Sequence, residues 1–134
     1  MLNHKIAHEL LNEAEQIAIQ RKVAIAVSIC DTHGELLTFS RMDGVSVQAG
    51  LLAQNKAYTS ARDRQPSGNL GAWARETGKQ LSYWTDPKIT GFMGGLPIEK
   101  DGAIIGGIGI SGLSESDDEA LAKQVLGQLS LSPD

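Results

Sequence analysis

Two pairs of short, β-branched segments, each joined by a tight-turn sequence, constrain this chain more than any other feature. VAIAVSIC (23–30) runs through Asp31-Thr32-His33-Gly34 into ELLTFSR (35–41), and GGLPIEKDGAIIGGIGIS (94–111) holds two strands around Lys100-Asp101-Gly102. Strands joined this tightly pair antiparallel, because a parallel partner needs a crossover of about a dozen residues or more. Between and around them the period changes to that of a helix. Ile6, Leu10, Leu11, Ala14, Ile17 and Ala18 recur at steps of three and four between Asn3 and Arg21, which places them on one helical face. Ser46 is the expected cap of a second helix reaching about Arg62, with Ala49, Ala53, Ala57 and Ala61 at intervals of four. Residues 70–81 read as a third helix, weakened by Gly71 and Gly78. TDPKITG reads as a loop, and Ser116-Asp117-Asp118-Glu119 as a capping box that opens a fourth helix.

The order is therefore α-β-β-α-α-β-β-α, an α+β architecture with helices packed on an antiparallel sheet. A chain of 134 residues is the size of one domain, and no linker or repeat divides it, so residues 1–134 are read as a single domain. Aromatic residues make up only 4%, so the core must be built from Ile, Leu, Val and Ala.

Gly107, Gly109 and Gly112 have the Gly-x-Gly-x-x-Gly spacing of a pyrophosphate grip. A dinucleotide fold needs a further strand and an acidic residue about 20 positions on, and the chain ends too soon. Asp117, Asp118 and Glu119 would also repel a phosphate at the start of the following helix. No dinucleotide is expected. Glycines inside a strand instead mark close approach by another backbone or by a ligand: either a helix bearing the alanine stripe crosses here, or something flat lies on the strand.

A formal charge of -4, from 16 acidic and 12 basic residues, argues against a nucleic-acid partner. No run approaches the roughly 18 apolar residues of a membrane span, and the N-terminal MLNHKIAHELLNEAEQ lacks the apolar stretch of a secretory signal. A cytoplasmic protein is expected. Cys30, the only cysteine, has the neighbours of a buried strand and reads as an inert core thiol.

VSICDTHGELLTFSRMDG, then NKAYTSA, then GFMGGLPIEKDGAIIGGIGISGLSESDDEALA together resemble the GlcG/HbpS family, which includes the C-terminal domain of PduO-type proteins. The resemblance covers nearly the whole chain. It implies a profilin-like α/β/α arrangement that assembles into homodimers or larger homo-oligomers, and an association with haem, with corrinoid-linked propanediol utilisation or with glycolate operons. The segment from Arg64 to Thr90, with both tryptophans and Tyr83, is where this chain departs from the family pattern.

Site candidates follow from residue chemistry. His4 and His8 share a helix face, but no third ligand completes a metal site, and His33 reads as a solvated turn residue. Haem needs an apolar slot, an axial donor and cations for its propionates. The donors on offer are His4, His8, Met42, Tyr58, Tyr83 and Met93; the cations are Arg41, Lys56, Arg62 and Arg64. Lys56 can run its stem along apolar surface to water, pair with Asp43, or present its ammonium to an anionic ligand. Gly109-Ile110-Ser111-Gly112-Leu113 fails the serine-hydrolase elbow at its last position.

The reading preferred at this stage is a non-catalytic, oligomeric domain that binds haem, a related tetrapyrrole such as a corrinoid, or a small anionic metabolite between the sheet and the second helix. Arg41 and Lys56 supply charge, Met42, Asp43, Tyr58 and Ser111 border the ligand, and Gly94, Gly95, Leu96 and Pro97 form a wall. No residue is assigned as catalytic or metal-ligating. The alternatives are a small isomerase or lyase acting on a carboxylic acid through Lys56 and Asp43, and an assembly or partner-binding protein without a ligand.

Overall fold

The computed structural model describes residues 1–133. Its elements are α1 (His4–Arg21), β1 (Ala26–Cys30), β2 (Leu36–Arg41), α2 (Val47–Asp63), α3 (Ser67–Thr77), a 3-10 turn (Leu81–Trp84), β3 (Gly95–Lys100), β4 (Ala103–Ser111) and α4 (Glu115–Gln128). The four strands form one antiparallel sheet in the order β2-β1-β4-β3. Each hairpin occupies half of the sheet, and β1 and β4 join the halves. The α+β expectation and the element order hold, with the 3-10 turn added.

Alternation along the strands assigns the two faces. Ile25, Val27 and Ile29 point with Ile108 and Ile110 into a core shared with α1 and α4. Ala26 packs with Ala53, and Cys30 with Ala57 and Ala61, on the opposite face under α2. That second face is made of small residues, so the backbone of α2 lies directly on the sheet. A Cβ on Gly109 would collide with the Ala53 carbonyl oxygen and lie 2.6 Å from the Ala57 nitrogen, and one on Gly107 would collide with the Ala57 carbonyl oxygen. The glycine strand is thus covered by helix. The open space expected between sheet and α2 is filled, because glycine opposite alanine removes every side chain that could hold the two layers apart.

Helix ends follow local chemistry, with two departures. Asn3 accepts a hydrogen bond from the Ile6 amide, and Ser46 from the Ala49 amide. α4 is capped by Ser114, whose hydroxyl accepts from the Asp117 amide at 3.2 Å. Ser116 lies inside the first turn, two positions past the cap, which turns Asp118 inward. α3 begins at Ser67, earlier than its periodicity predicts, and stops at Thr77 because Gly78 takes the left-handed conformation at φ 70°. Leu81 therefore belongs to the 3-10 turn.

Cys30 is 2% exposed, and burial pushes its thiol up to about 12. The native protein is expected to leave Cys30 unmodified by a thiol reagent at pH 8 and to react with one equivalent once unfolded in guanidinium. Stoichiometric labelling of the folded chain would show that the β1–α2 layer opens.

Candidate functional site

Lys56 projects from α2 into the interior instead of toward a ligand. Its Nζ donates to the Ile110 carbonyl at 2.8 Å and to Asp118 Oδ2 at 3.0 Å, and the two side chains are only 1% and 3% exposed. Asp118 Oδ1 accepts from the Leu113 amide at 3.0 Å, so both ions have further partners. Desolvation drives the Lys56 ammonium below its ordinary value and the Asp118 carboxyl above its own, and mutual attraction opposes both shifts. Gly94, at φ 124°, closes over the pair: a Cβ there would lie 2.8 Å from Lys56 Nζ and 2.5 Å from the Ile110 oxygen. This pair pins α2, β4 and α4 together.

The expected partnership of Lys56 with Asp43 is therefore corrected to Asp118. Asp43 lies in the exposed turn after β2. Arg41 is also exposed, and its guanidinium donates to the Val45 carbonyl at 2.8 Å, so the two expected cations do not converge. Lys56 is drawn inward by a carboxylate, while Arg41 stays at the surface to close the β2–α2 turn. Met42 packs between two core clusters, its sulfur accepting from the Ile25 amide. Gly95, Leu96 and Pro97 are buried in β3, and Ser111 is buried at the end of β4 opposite Ala26. Of the ten residues expected to border a ligand, Leu96 and Pro97 reach a cavity of about 260 Å³ between β3 and α4, and Tyr58 faces a groove on the other side of the sheet.

The Tyr58 groove lies between the turn of the first hairpin and α2. It measures about 360 Å³ and is bordered by Ser28, Cys30, His33, Leu36, Leu51, Tyr58 and Lys88, among others. Its rigidity starts from Asp31, whose Oδ1 accepts from the amides of His33 and Glu35 at 2.9 and 3.0 Å. Gly34 adopts φ 85°, and a Cβ there would lie 2.6 Å from the Tyr58 ring; only glycine lets the turn rest on that ring. Arg62 donates to the His33 carbonyl at 2.9 Å.

Tyr58 itself is committed. Its hydroxyl donates to Asp86 Oδ2 at 2.5 Å, which holds the phenol above and the carboxyl below their ordinary values. The Arg62 guanidinium and the Lys88 ammonium sit 5.0 and 5.3 Å from the ring centroid. The hydroxyl is thus not a free metal donor. Leu36 and Leu51 are 53% and 49% exposed at the groove wall, an unusual position for two leucines unless something covers them.

Sequence reasoning passed over His33, Lys88 and both leucines. His33 looks like any polar turn residue until the turn is seen to border a cavity. Lys88 comes from the loop that carries Asp86, and nothing in the sequence ties that loop to the hairpin.

Comparison with known proteins adds the family. A family model described as haem degrading protein HbpS-like matches residues 2–127. The chain belongs to the HbpS-like family. Protein GlcG of Escherichia coli K12 is 29% identical to this HbpS-like chain over 111 residues, 83% of the chain and 81% of GlcG. The corrinoid adenosyltransferase PduO of Salmonella typhimurium is 29% identical over 126 residues, which are 92% of the chain but only 38% of PduO. A crystal structure of a PduOC–haem complex matches with a TM-score of 0.89 at 28% identity, covering 98% of this chain and 96% of that one.

Proposed function

We propose that this HbpS-like chain is a haem-binding domain and that the groove between the first hairpin and α2 takes the macrocycle. The observation that carries this reading is the match to the PduOC–haem complex over almost the whole of both chains, joined to a groove with the chemistry haem needs. Leu36 and Leu51 offer apolar walls, His33 an imidazole and Lys88 a cation for a carboxylate, with Arg62 close by against the Tyr58 ring. A volume of about 360 Å³ lies at the small end of ligand sites, roughly 300–1,000 Å³. Part of the ring would therefore lie outside the groove. Val47, Leu36 and Leu51 are large apolar residues exposed on the same protein, which agrees with a homo-oligomer in which a second copy covers that part.

Bound haem supplies an iron that exchanges ligands and electrons. The protein's own part is to hold and orient the ring, a binding role without catalytic residues. The rival reading, a reaction at Lys56 and Asp43, gains no support from the geometry: Lys56 is sealed against Asp118 and Asp43 stands apart. A corrinoid is a second tetrapyrrole for the same groove, supported by the name of PduO alone.

Titration of the apoprotein with hemin is expected to shift the Soret band and to saturate at one haem per chain. No shift at stoichiometric hemin would overturn the reading. Lys88→Glu is expected to weaken binding several-fold, the size of an exposed ion pair of about 0.2–1 kcal/mol, with the deficit shrinking as salt is raised.

A further inference from the structure

We propose that His33 is the axial ligand through which this chain holds a haem iron in the hairpin groove, an assignment that rests on the haem reading above. The chain has three histidines, and His33 alone of them borders this groove. His4 and His8 stack on each other at 6.0 Å on the exposed side of α1, with no apolar wall built around them.

Of the groove's other donors, the Tyr58 phenol and the Cys30 thiol are withdrawn, and Glu35 offers a hard carboxylate rather than a nitrogen. The Tyr58 hydroxyl donates its hydrogen bond to Asp86. Cys30 is held as a neutral thiol by burial, and a thiol is a poor ligand where a thiolate is a good one. Among the described residues the imidazole of His33 has no hydrogen-bond partner: the bonds that hold the residue go to its backbone, from the amide to Asp31 and from Arg62 to the carbonyl.

Those backbone bonds suit the role. The turn is pinned on either side of the imidazole, because the Gly34 amide donates to the Asp31 carbonyl at 3.0 Å and the Asp31 amide to the Glu35 carbonyl at 2.9 Å. The Tyr58 ring supports the turn from below, fixed in turn by Asp86. A ligand side chain on a backbone held this way loses little freedom on binding. The leucine walls and Lys88 border the same space, so an imidazole, an apolar slot and a cation meet in one groove. An imidazole nitrogen of His33 would supply an electron pair to a ferric iron in place of a water, an exchange that requires no oxidant.

The test is hemin titration of the purified chain, followed by visible absorption and electron paramagnetic resonance. The wild type should give a nitrogen-ligated spectrum. His33→Ala should lose that spectrum, weaken binding roughly tenfold or more, keep its thermal midpoint because the residue is exposed, and regain the spectrum when free imidazole is added. His4→Ala and His8→Ala should match the wild type. If the wild type binds hemin and His33→Ala gives the same spectrum, or if His4→Ala or His8→Ala abolishes it, the His33 assignment is overturned while the haem reading stands. If the wild type takes up no hemin, both fall.

Discussion

Replacing Lys56 by methionine is expected to destabilise the protein by about 3–5 kcal/mol, since it leaves the Asp118 carboxylate buried without its counter-charge. The double replacement Lys56→Met with Asp118→Leu should recover most of that loss, because an apolar pair avoids the desolvation that both ions suffer in the wild type. Chemical denaturation of the two single variants and the double variant closes the cycle. Equal, additive losses would show that the two residues do not act as a pair. The pH dependence has a definite sign. Burial raises the Asp118 carboxyl in the fold, so the folded state favours the protonated form, and the group's contribution to stability falls as pH rises through its folded value. In Lys56→Met that value moves further up. The deficit relative to wild type should thus be smallest in acid and grow toward neutrality.

Gly109→Ala is the second large effect. The added methyl would meet the Ala53 carbonyl and the Ala57 nitrogen, which are helix backbone and have no rotamer to escape into. Overpacking in a core costs typically about 1–3 kcal/mol, and a clash with backbone should reach or exceed the upper end. Gly127→Ala serves as the contrast: no described residue lies within 4 Å of its new Cβ, and an alanine near the end of α4 should be neutral or stabilise by up to about 1 kcal/mol. Thermal or denaturant unfolding of both variants checks the argument. A tolerated Gly109→Ala would mean that α2 is not seated on the sheet as described.

Much of this layered arrangement was legible beforehand. The alanine stripe of α2 and the glycines of β4 each look odd alone, and together they allow either a helix lying on the strand or a flat ligand between the two. The structure brings Ala53 and Ala57 over Gly109, and Ala57 and Ala61 over Gly107. The family resemblance pointed the same way and is supported across residues 2–127. The site was far less legible. Lys56 looked like a ligand-binding cation because it lies beside an apolar stripe, and Asp43 was one carboxylate it could pair with. Its actual partner, Asp118, is 62 residues away and comes from the first turn of α4. The cap at Ser114, in place of Ser116, is the two-residue displacement that directs Asp118 inward.

The sequence by itself determined the kinds of element, their order, the antiparallel hairpins and the two small-residue surfaces on α2 and β4, but not what covers the glycines. Those features depend on residues a few positions apart, or on side-chain size along one face, and both are written in the chain. The tertiary structure alone decided which charges meet, which cavity stays open and which histidine borders it. Such pairings form between segments far apart in sequence, and the cost of burying a charge selects the partner that the packed layers bring within about 3 Å.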